Sequence, residues 1–137
     1  MSCLHVERHI VMTMGSGSNG CLGHGDYEDH VQPKMVETLL GYDTLDIACG
    51  AHHMAALMSE GPLFIWGKGD SGQLGLQTTA MHNKPQSVAR LPEGFKITSL
   101  FCGPDSTAVL SDTGQLLVCG SNRSADNHMT SHLYITL

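Results

Sequence analysis

The sequence predicts an all-β protein assembled from a repeated unit, and three observations carry that prediction. Landmark residues recur at offsets of 52 and 53 along the 137-residue chain. The apolar runs between them are short and end at clusters of Gly, Pro, Ser and Asp, the punctuation of strands and hairpins. No stretch sustains a helical period, although residues 36–40 have enough apolar spacing for one turn. Roughly four strands per unit of this size describes a propeller blade. The predicted fold is therefore a partial β-propeller of about two four-stranded blades plus the start of a third.

The elements follow in order. Residues 1–14 form a leader and the end of a preceding strand, 15–66 a first repeat, 67–119 a second, and 120–137 a third-repeat stub and tail. The first repeat opens on Gly15-Ser16-Gly17-Ser18-Asn19-Gly20-Cys21-Leu22-Gly23, and the second on Gly67-Lys68-Gly69-Asp70-Ser71-Gly72-Gln73-Leu74-Gly75, at an offset of 52. Gln32-Pro33 and Lys84-Pro85 share that offset. Cys49-Gly50 and Cys102-Gly103, Gly61 and Gly114, and Trp66-Gly67 and Cys119-Gly120 stand 53 apart. Within the units, strands are predicted at 44–49, 53–58 and 63–66, then at 97–102, 107–110 and 115–119. A further strand after each Pro falls at 34–37 and at 86–89.

Composition narrows the function. Seven Lys and Arg against 13 Asp and Glu give a net charge of −6, a poor match to a phosphate backbone, so no nucleic acid is expected as a partner. No apolar run reaches the roughly 18–20 residues of a membrane-spanning helix, and no membrane insertion is expected. Arg8 and His9 interrupt the apolar stretch of the amino terminus, which spoils a signal-peptide core and points to the cytoplasm, with the nucleus as the alternative. There the five cysteines are expected to be reduced, and the Asn122-Arg123-Ser124 triplet is a coincidental glycosylation match.

The motifs that carry chemistry elsewhere read here as structure. Gly15-x-Gly17-x-x-Gly20 and Gly67-x-Gly69-x-x-Gly72 match a phosphate-binding glycine pattern, but the residues after Gly72 will not make a helix, Cys21-Leu22 stand where a phosphate loop needs Lys-Ser/Thr, and no kinase lysine or Asp set accompanies them. Glycine's tolerance of φ > 0 in a turn accounts for both. The cysteines form no Cys-x-x-Cys pair, and Cys49 and Cys102 read as fillers of small apolar volumes in successive blades. Cys3, His5, His9, His128 and His132 have spacings that would suit a metal if helical; no metal and no cofactor is expected. No nucleophile motif is present. The segment His24 to His30 (His24, Asp26, Tyr27, Glu28, Asp29, His30) forms an acidic loop, read either as a solvated connection or as a candidate partner-binding loop, since loops on rigid scaffolds often bind.

The landmarks resemble the regulator-of-chromosome-condensation repeat family, whose units carry Trp-Gly, a Gly-rich turn ending in Leu-Gly, a Pro before a short strand, and Cys-Gly-x-x-His. Here these are Trp66-Gly67, Leu22-Gly23, Leu74-Gly75, Pro33, Pro85 and Cys49-Gly50-Ala51-His52-His53. The resemblance covers about residues 13–123 and implies a structural role for Gly15, Gly17, Gly20, Leu22, Gly23, Cys49, Gly50, His53, Trp66, Gly67, Gly69, Gly72, Leu74, Gly75, Cys102, Gly103 and Gly120. His53 reads as a donor to a neighbouring carbonyl, with acid–base work as the alternative. Departures are Met14 in a Trp place, Ser106 in the His place, and the loss of pattern after Arg123. Residues 15–25 and 69–76 are similar in particular to propellers carried by ciliary NIMA-related Ser/Thr kinases.

What the resemblance implies is a non-catalytic interaction and regulatory module, a piece of a longer kinase-plus-propeller protein, binding protein partners at the cilium or centrosome. The alternative it implies is a guanine-nucleotide exchange factor for a small GTPase, while the acidic balance argues against chromatin. Native mass spectrometry after dialysis against zinc is expected to return the metal-free mass. A bound zinc that is lost on mutating Cys3, His5 and His9 would contradict this.

Overall fold

The computed structural model describes residues 2–6, 9–59, 61–76, 79–88, 91, 93–121 and 129–136. Among the described residues eleven strands form three antiparallel sheets. The first holds β1 (Ser2–Val6), β2 (Ile10–Gly15) and β3 (His30–Met35). The second holds β4 (Thr44–Cys49), β5 (His53–Met58), β6 (Leu63–Gly67) and β7 (His82–Ser87). The third holds β8 (Ile97–Cys102), β9 (Ser106–Ser111), β10 (Gln115–Ser121) and β11 (Met129–Thr136). Each strand pairs with its sequence neighbour, so every sheet is a simple meander. Single 3-10 turns occupy Ser18–Gly20 and Glu37–Leu39. Among the described residues no helix is long and apolar enough to cross a membrane.

The all-β prediction stands, with two full four-stranded sheets and a three-stranded one. Two strands lie where the sequence carries no family landmark: β1 in the leader and β11 in the tail, where β11 pairs with β10 and completes the third sheet. Ladder pairing uses the backbone, and so needs no landmark side chains. The strands predicted after each Pro instead contain it. Pro33 lies within β3 and Pro85 within β7, each with one hydrogen-bonded neighbour strand, where a missing N–H leaves the ladder intact.

One irregularity repeats in all three sheets. The pairing register slips between Thr13 and Gly15, between Ile65 and Gly67, and between Val118 and Gly120. The glycine that ends each slip has φ of +113°, +106° and +122° in turn, a region closed to ordinary side chains. At Gly67 an added Cβ would also stand 2.5 Å from the His52 carbonyl oxygen. The glycine of each landmark pair is thus a bulge residue that re-aims the chain into the following loop.

The core lies in the two seams between sheets. Successive residues of a strand point to opposite faces. Met54, Ala56, Met58, Phe64 and Trp66 therefore join Val11, Val36 and Leu39 in the first seam. Ala55, Leu57, Leu63 and Ile65 join Leu74, Ile97, Leu100, Val109 and Leu117 in the second. β5 and β6 are buried along their whole length, which explains why they read as continuous apolar runs rather than alternating ones.

The turn glycines offer a graded test. Gly20 and Gly72 have φ of +69° and +74°, but a Cβ at Gly20 would meet Asn83 Cβ at 2.5 Å. Gly72→Val should cost about 1–3 kcal/mol from backbone strain, and Gly20→Val more, because the collision adds to the strain. Urea unfolding midpoints check the order; equal midpoints for both variants and wild type would refute it.

Candidate functional site

The Gly-rich loops are fastened to the seams by a small set of polar contacts. The Trp66 indole N–H donates to the Cys21 carbonyl at 2.9 Å, and the ring lies against Gly23, where a Cβ would stand 2.8 Å from Nε1. In the next repeat Cys119 takes the place of Trp66. Its thiol donates to the Gln73 carbonyl at 3.3 Å and lies beneath Gly75. A smaller residue thus keeps the contact. Burial pushes the Cys119 thiol up to about 11 and the Cys102 thiol up to about 12, so neither is a thiolate nucleophile near neutral pH.

His53 bridges the second seam. Its Nε2 lies 2.8 Å from Thr107 Oγ1 and 3.1 Å from the Ser106 carbonyl, while the Thr107 hydroxyl donates to the Gln73 carbonyl at 2.7 Å. That assigns the Nε2–H tautomer, the ring donating to the hydroxyl oxygen and the carbonyl. Gly50 is required beside it, because a Cβ there would overlap the His53 ring. His24 builds a second relay of the same kind: Nε2 at 2.9 Å from Thr13 Oγ1, whose hydroxyl donates to the Leu22 carbonyl at 2.7 Å. Burial, the first cause in both rings, lowers the pKa of His53 and of His24; at His24 the charges of Lys34 and His30 add to it.

The cysteine expectation needs one correction. Cys102 is partly buried and packs on the second-seam core, but its repeat equivalent Cys49 is exposed. The cross-strand neighbour of Cys102 is the small Thr107, with Sγ and Oγ1 4.0 Å apart. Opposite Cys49 the larger Met54 is fully buried in the first-seam core. No cluster of three metal-ligating side chains occurs among the described residues. The helix that the terminal His spacings would need is replaced by strands: Cys3 and His5 lie on β1 and His132 on β11, while His128 lies outside the described residues.

The acidic loop is held firmly and still presents a surface. Asp29 accepts from the Gly17 N–H at 2.8 Å, Asp26 accepts from the Glu28 N–H at 3.1 Å, and the Gly25 N–H donates to the Asn83 carbonyl of β7 at 2.8 Å. The His24 and His30 rings meet edge to face with centroids 4.9 Å apart. Of the six candidate residues, Asp26, Asp29, His24 and His30 therefore shape the loop, whereas Tyr27 and Glu28 face solvent. Beside them stands Val31, 88% exposed, which in the sequence closes the same loop. Its signal there was a Val among polar residues, indistinguishable from an ordinary strand residue.

Three meander sheets stacked through apolar seams, with glycine bulges at equivalent positions, define a β-propeller segment built from sequence repeats. Models of the regulator of chromosome condensation (RCC1) repeat match residues 10–57 and 60–110, and the chain belongs to that family. It is 50% identical over 122 residues to the serine/threonine-protein kinase Nek8 of Danio rerio, covering 89% of this chain and 17% of that protein. Among solved structures, human WBSCR16 superposes with a TM-score of 0.82 at 23% identity over 97% of this chain and 35% of that one. Yeast RCC1 (Prp20), solved with Kap60, gives 0.72 at 22% identity over 93% and 35%. The chain thus spans under a fifth of the kinase and about a third of each propeller.

The two relays predict how stability depends on pH. Both histidines have folded-state pKa values below the ordinary 6.5, so the unfolded chain binds more protons than the fold in the window beneath that value. Their contribution is complete above about pH 6.5 and is lost as pH falls from there through the folded-state values. The urea midpoint should drop between about pH 7.5 and 5.5, and His53→Gln should flatten that slope. An unchanged slope in the variant would contradict the assignment.

Proposed function

We propose that this chain is a non-catalytic protein-interaction segment of a longer propeller, one that positions and localises an attached Ser/Thr kinase at the cilium or centrosome, and that the loop from Gly25 to Val31 is its contact surface. The 50% identity to Nek8 supports the kinase setting. The observation that carries the interaction reading is the loop itself, which is pinned by Asp26, Asp29 and the Gly25–Asn83 bond yet leaves Tyr27 and Val31 exposed, 53% and 88%. A preordered loop loses little entropy on binding, and a Tyr is a common interface anchor. A kinase attached beside this surface would phosphorylate Ser and Thr side chains of the proteins held there.

The test compares the full protein with its Tyr27→Ala/Val31→Ser variant in ciliated cells by quantitative affinity purification. Partners recovered with wild type should fall by about tenfold in the variant, the scale of a lost interface anchor, with the unfolding midpoint unchanged. Undiminished recovery would overturn the role of the loop. Phosphoryl transfer by the purified chain, or accelerated nucleotide release from a small GTPase, would overturn the non-catalytic reading.

A further inference from the structure

Lys34 of β3 and Lys84 of β7 come from different sheets, yet both line one cleft, with Gly23, His24, Glu37 and Thr38. Docking of the first Gly-rich loop onto β7 through the Gly25–Asn83 bond creates it, and the same docking lays the Lys84 side chain over Gly25, where a Cβ would stand 2.6 Å from Cε. The cleft holds about 110 Å³, the space of three or four waters at roughly 30 Å³ each.

Cations are scarce in this chain, 7 against 13 acids, and two of them converge here. Among the described residues Lys68 pairs with Asp70, and His9 and His30 lie against Asp43 and Asp26; neither Lys34 nor Lys84 has a carboxylate partner, and Glu37 on the same wall pairs with neither. His24 also lines the cleft; its Nε2–H is engaged by Thr13, and its Nδ1, an acceptor, leaves the oxyanion to the two ammonium groups. Two unpaired ammonium groups approaching from separate strands, with a threonine beside them, suit a compact oxyanion whose charge is spread over several oxygens. Lysine serves phosphate in that way, as a point charge.

We infer that this cleft between the first and second sheets binds the phosphate group of a phosphorylated Ser or Thr side chain on a partner protein. The source of that phosphate rests on the protein-interaction reading; the oxyanion chemistry does not. The cleft adjoins the root of the exposed loop through His24 and Gly23, so a partner seated on Tyr27 and Val31 lies within reach of it.

The test titrates the full chain near neutral pH and low salt with N-acetyl-phosphoserine N-methylamide, and in a parallel arm with inorganic phosphate, following phosphorus resonance line widths. Saturable binding of the phosphoserine probe is expected, stronger than that of inorganic phosphate. Lys34→Gln or Lys84→Gln should each weaken it by about tenfold, the scale of a charge-assisted hydrogen bond, and Lys34→Glu/Lys84→Glu should abolish it. Both lysines are exposed, and equal unfolding midpoints verify that the variants fold. Absent binding, or binding that survives the double charge reversal, overturns the site. Inorganic phosphate binding as tightly as the probe overturns the protein-borne source. Loss of partners through Tyr27→Ala/Val31→Ser with phosphoserine binding intact supports the cleft as a site separate from the loop contact.

Discussion

The structure depends on one constraint: the two central strands of the middle sheet have no face that tolerates water. Met54 to Met58 and Leu63 to Trp66 are buried on both sides, and each face must find an apolar partner. The first and third sheets supply it, so the three meanders stack in register instead of opening into independent hairpins. Burial of a large side chain contributes about 1.5–3 kcal/mol, and the two seams gather seventeen buried apolar residues between them. An isolated two-stranded hairpin is marginal in water.

Given that stacking, the polar contacts decide where the loops sit. The indole of Trp66, the thiol of Cys119 and the hydroxyls of Thr13 and Thr107 all donate to carbonyls of the Gly-rich loops. Together they satisfy the carbonyls of Cys21, Leu22 and Gln73, the last accepting from both Cys119 and Thr107. Exchange of Trp for Cys at the second seam keeps the bond but not the volume. A cavity of about 30 Å³ remains there, lined by Cys119, Leu63, Ile65, Leu74 and Leu117 among others. In the first seam the fully buried Trp66 fills space as well as bonding.

Function follows from the same arrangement. A loop tied down at Gly17, Gly25 and Glu28 has little freedom left to lose, so exposed side chains on it meet a partner in a fixed geometry. Because that loop docks on the neighbouring sheet, it also carries His24 toward Lys84. Shape and charge at this surface thus belong to the junction of two sheets and to neither one separately.

The repeat, the all-β class and the interior strands were legible in the sequence, because offsets of 52 and 53 and turn clusters are properties of the chain itself. The strands at 44–49, 53–58 and 97–102 agree with the structure to the residue, since each is bounded by a glycine or a turn. The structural bias of Gly20 and Gly72 was likewise readable, φ > 0 being a local demand. Tertiary structure decided the rest. β1 and β11 pair through their backbones and left no side-chain signature. The burial of Cys102 and exposure of Cys49 turn on which residue faces each across the ladder. Lys34 and Lys84 are 50 residues apart in sequence, and no local pattern joins them; they share a cleft because a Gly-rich loop crosses from one sheet to the next.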